Sequence, residues 1–225
     1  MLRPLDENLW VIDLPLKMLG GVQIGTRTTV IRLADGSVFL HCPGPIEPSG
    51  FQEIEKLGDV RHVVAANLFH HLYVKPALTR FESARFYAPS GFEEKVSDLA
   101  YETLAADAPE AWANDLDQLA IEGAPNLNEI VFVHRASRTL LLTDLCFNMQ
   151  HSDSWITRVV MRVTGSYGHF GPSRLARFFM KDKPAVKACV EQLLEFDFDR
   201  IVVTHGEIID SGGRQALQAA FAELG

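Results

Sequence analysis

Cysteine is scarce: Cys42, Cys146 and Cys189 are widely spaced and form no CxxC pair. That excludes a cysteine-built zinc framework and leaves three small apolar residues of a reducing compartment. No apolar run approaches the ~20 residues that a membrane helix requires. The N-terminal MLRPLDENLW has no basic segment followed by an apolar one, so no signal peptide is expected either. Basic residues are in deficit, 21 against 29 acidic, for a formal charge of -8. This argues against general affinity for nucleic acid or anionic membrane and leaves room only for a local basic groove. The chain also lacks G-x-S-x-G, G-x-x-x-x-G-K-[ST] and G-x-G-x-x-G. A serine-hydrolase reading therefore has no anchor, and Cys146 in an apolar setting would be an inert thiol rather than a nucleophile.

What remains is the composition of a folded protein, 47% hydrophobic and 22% charged over 225 residues. One domain, 1–225, is expected, since two full domains would be cramped in that length. The corresponding expectation is a cytoplasmic monomer or homodimer whose partner is a small-molecule substrate, with no nucleic acid and no membrane.

Leu9 to Leu16 reads as a first strand with Pro15 at its end or marking an edge. TTVIRL (28–33) and SVFLH (37–41) flank Ala-Asp-Gly, a hairpin signal. Pro48 or Ser49 starts a helix ending near Gly58, and Val74 to Glu82 is a second short one. ARFYA (84–88) is a strand, and the spacing of Phe92, Val96, Leu99, Ala100 and Thr103 predicts a helix over 92–104. EIVFVH (129–134) and TLLLTD (139–144) flank a second hairpin. Helices follow over 155–163 and 185–196, and after a strand at 200–204 a last helix covers 213–224. Hairpins followed by alternating strands and helices predict mixed sheets covered by helices, not a purely parallel doubly wound sheet.

Three strands end on residues that ligate metals. VRHVVAANLFHHLY (60–73) runs out to His70 and His71, TLLLTD stops on Asp144, and RIVVTHG (200–206) stops on His205. Histidine and carboxylate at three strand ends converge if those ends share one rim of a sheet, and such nitrogen and oxygen donors suit zinc, iron or manganese. Adjacent loop residues point in different directions, so both His70 and His71 stay candidates. His151 and Asp153 follow the Asp144 strand closely enough to support or replace a ligand. His169, Tyr167 and Arg174 lie on a glycine-rich loop that would bring them against an anionic substrate. His41 ends an early strand, whereas His62 and His134 read as structural.

The order of these motifs, together with FVHRASRTLLLTDL, GPSR and FDFDRIVVTHGEII, resembles the metallo-β-lactamase-like hydrolase superfamily over nearly the whole chain. Within it the resemblance is to a branch known mainly as a domain of unknown function. The resemblance implies an α/β (α+β) fold, a four-layer αβ/βα sandwich of two mixed β-sheets with helices outside and an active site on one edge. It also implies a reduced site. The family's His-x-His-x-Asp-His stretch falls on Asn67-Leu68-Phe69-His70-His71 without its aspartate, and a PGH-type histidine is missing near Ala124-Pro125-Asn126. Asp144 matches the aspartate that bridges two metals in the family, and His205 matches its last histidine. One metal subsite is thus dismantled, and the other survives as His70 or His71 with Asp144 and His205.

The resemblance therefore implies a hydrolase holding one divalent ion, zinc first and iron or manganese next, that opens a small ester or lactone such as an acyl-homoserine lactone, the chemistry of quorum quenching. Asp144 and His205 are its catalytic candidates. A phosphodiesterase is the alternative enzyme. A metal-free, non-catalytic binding protein is the alternative from another class, in which the histidines pack beside the sheet end and Asp144 bonds loop amides.

Overall fold

The computed structural model describes residues 1–224. Seven strands form one sheet in sequence order: β1 (Arg3–Asp6), β2 (Leu9–Leu14), β3 (Thr26–Arg32), β4 (Val38–His41), β5 (Val60–Val64), β6 (Arg85–Ala88) and β7 (Glu102–Thr103). Pairing is antiparallel from β1 to β4 and parallel from β4 to β7. The second sheet has the order β11-β10-β9-β8, from β8 (Leu116–Ala120), β9 (Ile130–His134), β10 (Thr139–Leu142) and β11 (Arg200–Val203). Only its β10–β11 pair is parallel. Both sheets are mixed, as the alternation of hairpins and crossovers predicts.

Side chains of period two sort the layers. Ile31, Phe39 and Val64 of the first sheet meet Phe132, Leu141 and Val202 of the second in a buried core between the sheets. Their neighbours point outward: Val30, Leu40 and Val63 pack on α1 (Pro48–Glu55) and α2 (Val74–Arg80). Val133, Leu140 and Val203 pack on α5 (Lys183–Leu193) and α6 (Gly213–Phe221). The result is the four-layer αβ/βα sandwich. Two further helices, α3 (Trp155–Val163) and α4 (Arg174–Phe179), lie between β10 and α5 in the chain. Each is capped at its N-terminus by a serine hydroxyl, Ser154 and Ser173.

Two local readings are corrected. No helix forms over 92–104: a single 3-10 turn at Phe92–Glu94 is followed by β7, and Leu104 N–H donates to Ala88 O at 2.8 Å. The edge of β6 needs those backbone partners, and Phe92 and Tyr101 instead bury their rings against Phe86. Nor is β2 an edge strand, because Arg3–Asp6 pairs outside it. Pro15 only terminates it.

Candidate metal centre

Parallel pairing aligns the C-terminal ends of β4 and β5 in one sheet and of β10 and β11 in the other, and contacts of Asn67 and His70 with Asp144 bring both sets of ends to one rim. Loops leaving β5, β10 and β11 there carry His70, Asp144 and His205. Their donor atoms lie within 4.8 Å of one another. His70 Nε2 is 3.2 Å from Asp144 Oδ2, and His205 Nε2 is 3.4 Å from Asp144 Oδ1. The three side chains are 9%, 17% and 4% exposed for His70, Asp144 and His205, enough to be reached but not washed by solvent.

Each member is held by its surroundings. The Nδ1–H of His205 donates to the carbonyl of Gly25 at 2.7 Å, since a carbonyl can only accept. Phe147 stacks on the His205 ring, 5.3 Å between centroids and 11° between planes. With Nδ1–H committed to Gly25 O, His205 turns its Nε2 toward an anionic oxygen of Asp144. Two acceptors facing each other repel unless a proton or a cation lies between them. A histidine whose second nitrogen is fixed by a carbonyl is the arrangement in which imidazole ligates metals. One donor atom from each of the three residues can be chosen so that all lie within 4.8 Å of one another, close enough to be gathered on a single ion. The residues present fit a divalent ion with one carboxylate and two imidazole ligands.

Asn67, fully buried in the loop just beyond β5, ties the site together. Its Oδ1 accepts from the backbone N–H of Phe69 (2.9 Å) and His70 (3.1 Å), which sets the turn that aims His70. Its Nδ2 donates to Asp144 Oδ2 at 2.7 Å and Thr143 Oγ1 at 2.9 Å. Below Asp144 sits Glu129, also fully buried. It accepts the backbone N–H of Thr143 (2.7 Å), Asp144 (2.9 Å) and Leu145 (2.8 Å), clamping the turn from which Asp144 projects. Burial and the charge of Asp144 push the Glu129 carboxyl upward, against the three amides. For Asp144 burial acts upward too, but His70 and His205 outweigh it and hold its carboxyl well below the usual carboxylate range. A bound cation would act in the same direction as these histidines.

His70, not His71, joins the cluster. His71 Nδ1 bonds back to Leu68 O at 3.1 Å, and its ring lines an adjoining cavity. That cavity, of about 360 Å³, opens over His70, Asp144 and His205 between apolar walls including Leu16, Ile24, Phe147, Leu175 and Phe179. No lysine or arginine is among its lining residues. The other sequence candidates lie off this wall. His151 is 89% exposed and faces Glu207 at 3.9 Å, and Asp153 uses its backbone carbonyl to hold Arg158. Tyr167 lies under the Arg162 guanidinium, Arg174 donates to Val163 O, and His169 is exposed beside Tyr167 O. His41 is buried against Phe132 and has its basicity pushed down to about 3, by burial first and by His70 second.

Sequence reading did not single out Asn67 and Glu129 as site residues. The signal for Glu129 was present as a carboxylate placed directly before the buried run IVFVH, where a solvated charge has no room.

The whole-chain architecture matches solved metallo-β-lactamases. The enzyme from Pontibacter korlensis superposes with a TM-score of 0.68 at 12% identity, over 100% of this chain and 98% of that one. The Hirschia baltica enzyme gives 0.66 at 12%, over 100% and 97%. FIM-1 from Pseudomonas aeruginosa, solved in a mono-zinc form, gives 0.63 at 14%, over 98% and 95%. Identities this low establish the fold alone. No curated protein matches the chain in sequence. Residues 6–164, more than half of the chain, match the family described as "Domain of unknown function (DUF4336)", so the chain belongs to that family and carries the metallo-β-lactamase fold.

Proposed function

We propose that the protein is a metal-dependent hydrolase that holds one divalent ion through His70, Asp144 and His205 and opens a neutral ester or lactone with an apolar acyl group. The observation that carries this reading is the convergence of two imidazoles and a carboxylate, with the His205 tautomer fixed by Gly25 O so that Nε2 faces Asp144. Zinc is the first choice for such a donor set, with iron or manganese next. A divalent ion held there would supply Lewis acidity and bring the pKa of a bound water to about 7.

The chain's own residues do the rest. His205 and His70 turn their Nε2 atoms to Asp144 at the cavity wall, and Asp144 is anchored by Asn67 and the Glu129 clamp. The apolar walls seat an acyl chain and keep bulk water from the reacting carbonyl. Acyl-homoserine lactones meet these requirements, being uncharged and amphiphilic, which makes quorum quenching a consistent role. A phosphodiester fits less well, because its anionic groups would find no lysine or arginine on the cavity wall. The non-catalytic alternative keeps the same cavity without the ion.

Elemental analysis of untagged protein tests this directly. Near-stoichiometric metal that disappears in Asp144→Ala and His205→Ala, with loss of lactone opening in both, is the expected result. Folded, metal-free protein that hydrolyses no ester or lactone after reconstitution with zinc, iron or manganese refutes it.

A further inference from the structure

The net charge of -8 hides a segregation. Residues 154–181 contain Arg158, Arg162, Arg174, Arg177 and Lys181 and no aspartate or glutamate. The remaining residues therefore carry -8 - 5 = -13. Elsewhere arginines such as Arg27, Arg80, Arg135 and Arg138 are tied to carboxylates. Among the described residues none of the five cations in 154–181 has a carboxylate within ion-pair distance. Arg158 and Arg174 bond only backbone carbonyls, and Arg162 and Lys181 lie over the rings of Tyr167 and Phe178.

The same segment exposes apolar side chains. Trp155, Val159 and Val163 occur every four residues along α3, one stripe, and are 66%, 50% and 64% exposed. Leu175 and Phe178 of α4 are 56% and 64% exposed. The two helices adjoin, since Arg174 N–H donates to Thr164 O at 2.7 Å. The inner side of α3 packs on the 16–24 loop, where Gln23 N–H donates to Thr157 Oγ1, and that loop exposes Met18 and Leu19. Met18 and Leu175 are also on the cavity wall, so this apolar, cationic region adjoins the cavity mouth.

We propose that α3, α4 and the 16–24 loop form a docking face for an anionic lipid surface. Exposed tryptophan and aliphatic side chains flanked by unpaired arginines are what an interfacial helix presents to lipid headgroups and the acyl chains below them. No helix of the described residues is long and apolar enough to cross a membrane, so the attachment is peripheral. A second copy meeting the same face would set five cations against five, which charge repulsion opposes. Docking there brings the apolar cavity mouth to the lipid boundary, where amphiphilic esters concentrate. The binding step itself needs neither the metal nor hydrolysis.

The test is co-sedimentation of the full chain with vesicles of phosphatidylcholine containing phosphatidylglycerol, against pure phosphatidylcholine, with tryptophan fluorescence read in parallel. Trp112 is fully buried and Trp10 is half-buried in the core under α1 and α2, so a blue shift that Trp155→Ser removes belongs to Trp155. Binding to the anionic vesicles that weakens in high salt is expected. At about fivefold per basic residue near such a surface, Arg158→Gln with Arg162→Gln lowers the affinity roughly 25-fold, and Trp155→Ser with Val159→Ser abolishes the shift. Trp155, Val159 and Arg162 are exposed and Arg158 is half-buried on backbone carbonyls, so an unchanged circular dichroism spectrum and urea midpoint verify folding. Equal binding to neutral vesicles, no binding to either, or binding unchanged in both variants overturns the proposal. So does concentration-dependent self-association that the same variants abolish, which would assign the face to another copy of the chain.

Discussion

Glu129→Ala removes the acceptor of three consecutive backbone amides, those of Thr143, Asp144 and Leu145, at 2.7 to 2.9 Å in a fully buried setting. Each amide left without a partner costs about 1–3 kcal/mol, or roughly 3–9 for the three. Two effects offset part of this. Water entering the vacated space satisfies some of the amides, and the repulsion between Glu129 and Asp144 is relieved. A net loss of about 3–5 kcal/mol is expected, a large fraction of the ~5–15 that stabilises a folded domain. Glu129→Gln keeps one carbonyl oxygen for the Asp144 and Leu145 amides but turns an NH2 toward Thr143 N–H, so a loss of about 1–2 kcal/mol is expected. Urea unfolding followed by circular dichroism measures both. Because the clamp sets where Asp144 stands, Glu129→Gln should also weaken metal uptake while remaining folded. An alanine variant that loses less than about 1 kcal/mol with an unchanged urea slope would refute the clamp.

Three further outcomes follow from the same packing. The His41 imidazole has its pKa lowered to about 3, so between the ordinary value near 6.5 and pH 3 the unfolded chain binds a proton that the folded chain refuses. Its contribution is complete above pH 6.5 and is lost as pH falls, at up to about 1.4 kcal/mol per unit. Urea midpoints of His41→Phe should accordingly fall less steeply than wild type from pH 6.5 to 4, and parallel curves would contradict this. Gly206 has φ of 108°, and a Cβ there would lie 2.2 Å from Asn148 O. Gly206→Ala should destabilise by about 2–4 kcal/mol, roughly 4–16 °C in Tm, and a calorimetric shift below 2 °C would show that the turn relaxes at little cost. Cys42, Cys146 and Cys189 are buried, with burial pushing each thiol upward. A disulfide thiol reagent should label none of them in the native protein and all three after unfolding.

Much of the fold was legible because local sequence agrees with the tertiary arrangement. The hairpins 28–41 and 129–144 and the helix 155–163 follow from period-two and period-3.6 apolar spacing, which every compact packing must respect. The spacing over 92–104 misled because helical and half-buried irregular segments place apolar residues similarly, and only the open edge of β6 decides between them. The site was legible as far as chain order goes. Ligand-type residues at the ends of three strands are visible in a string of letters, and parallel pairing within each sheet, with the packing of one sheet on the other, makes those ends share a rim.

The sequence by itself determined which motifs are absent, that the sheets are mixed, and that Asp144 and His205 stand at strand ends. Tertiary structure alone selected His70 over His71, since Asn67 and Leu68 fix the turn and one residue of register reverses which ring faces the rim. It alone placed Glu129 beneath Asp144, by joining residues 14 to 16 positions apart through backbone amides. It also decided that the Trp155 stripe faces outward rather than inward. A helical period shows that a helix has two unlike faces, but which one is buried depends on what packs against it, and that is a property of the whole fold.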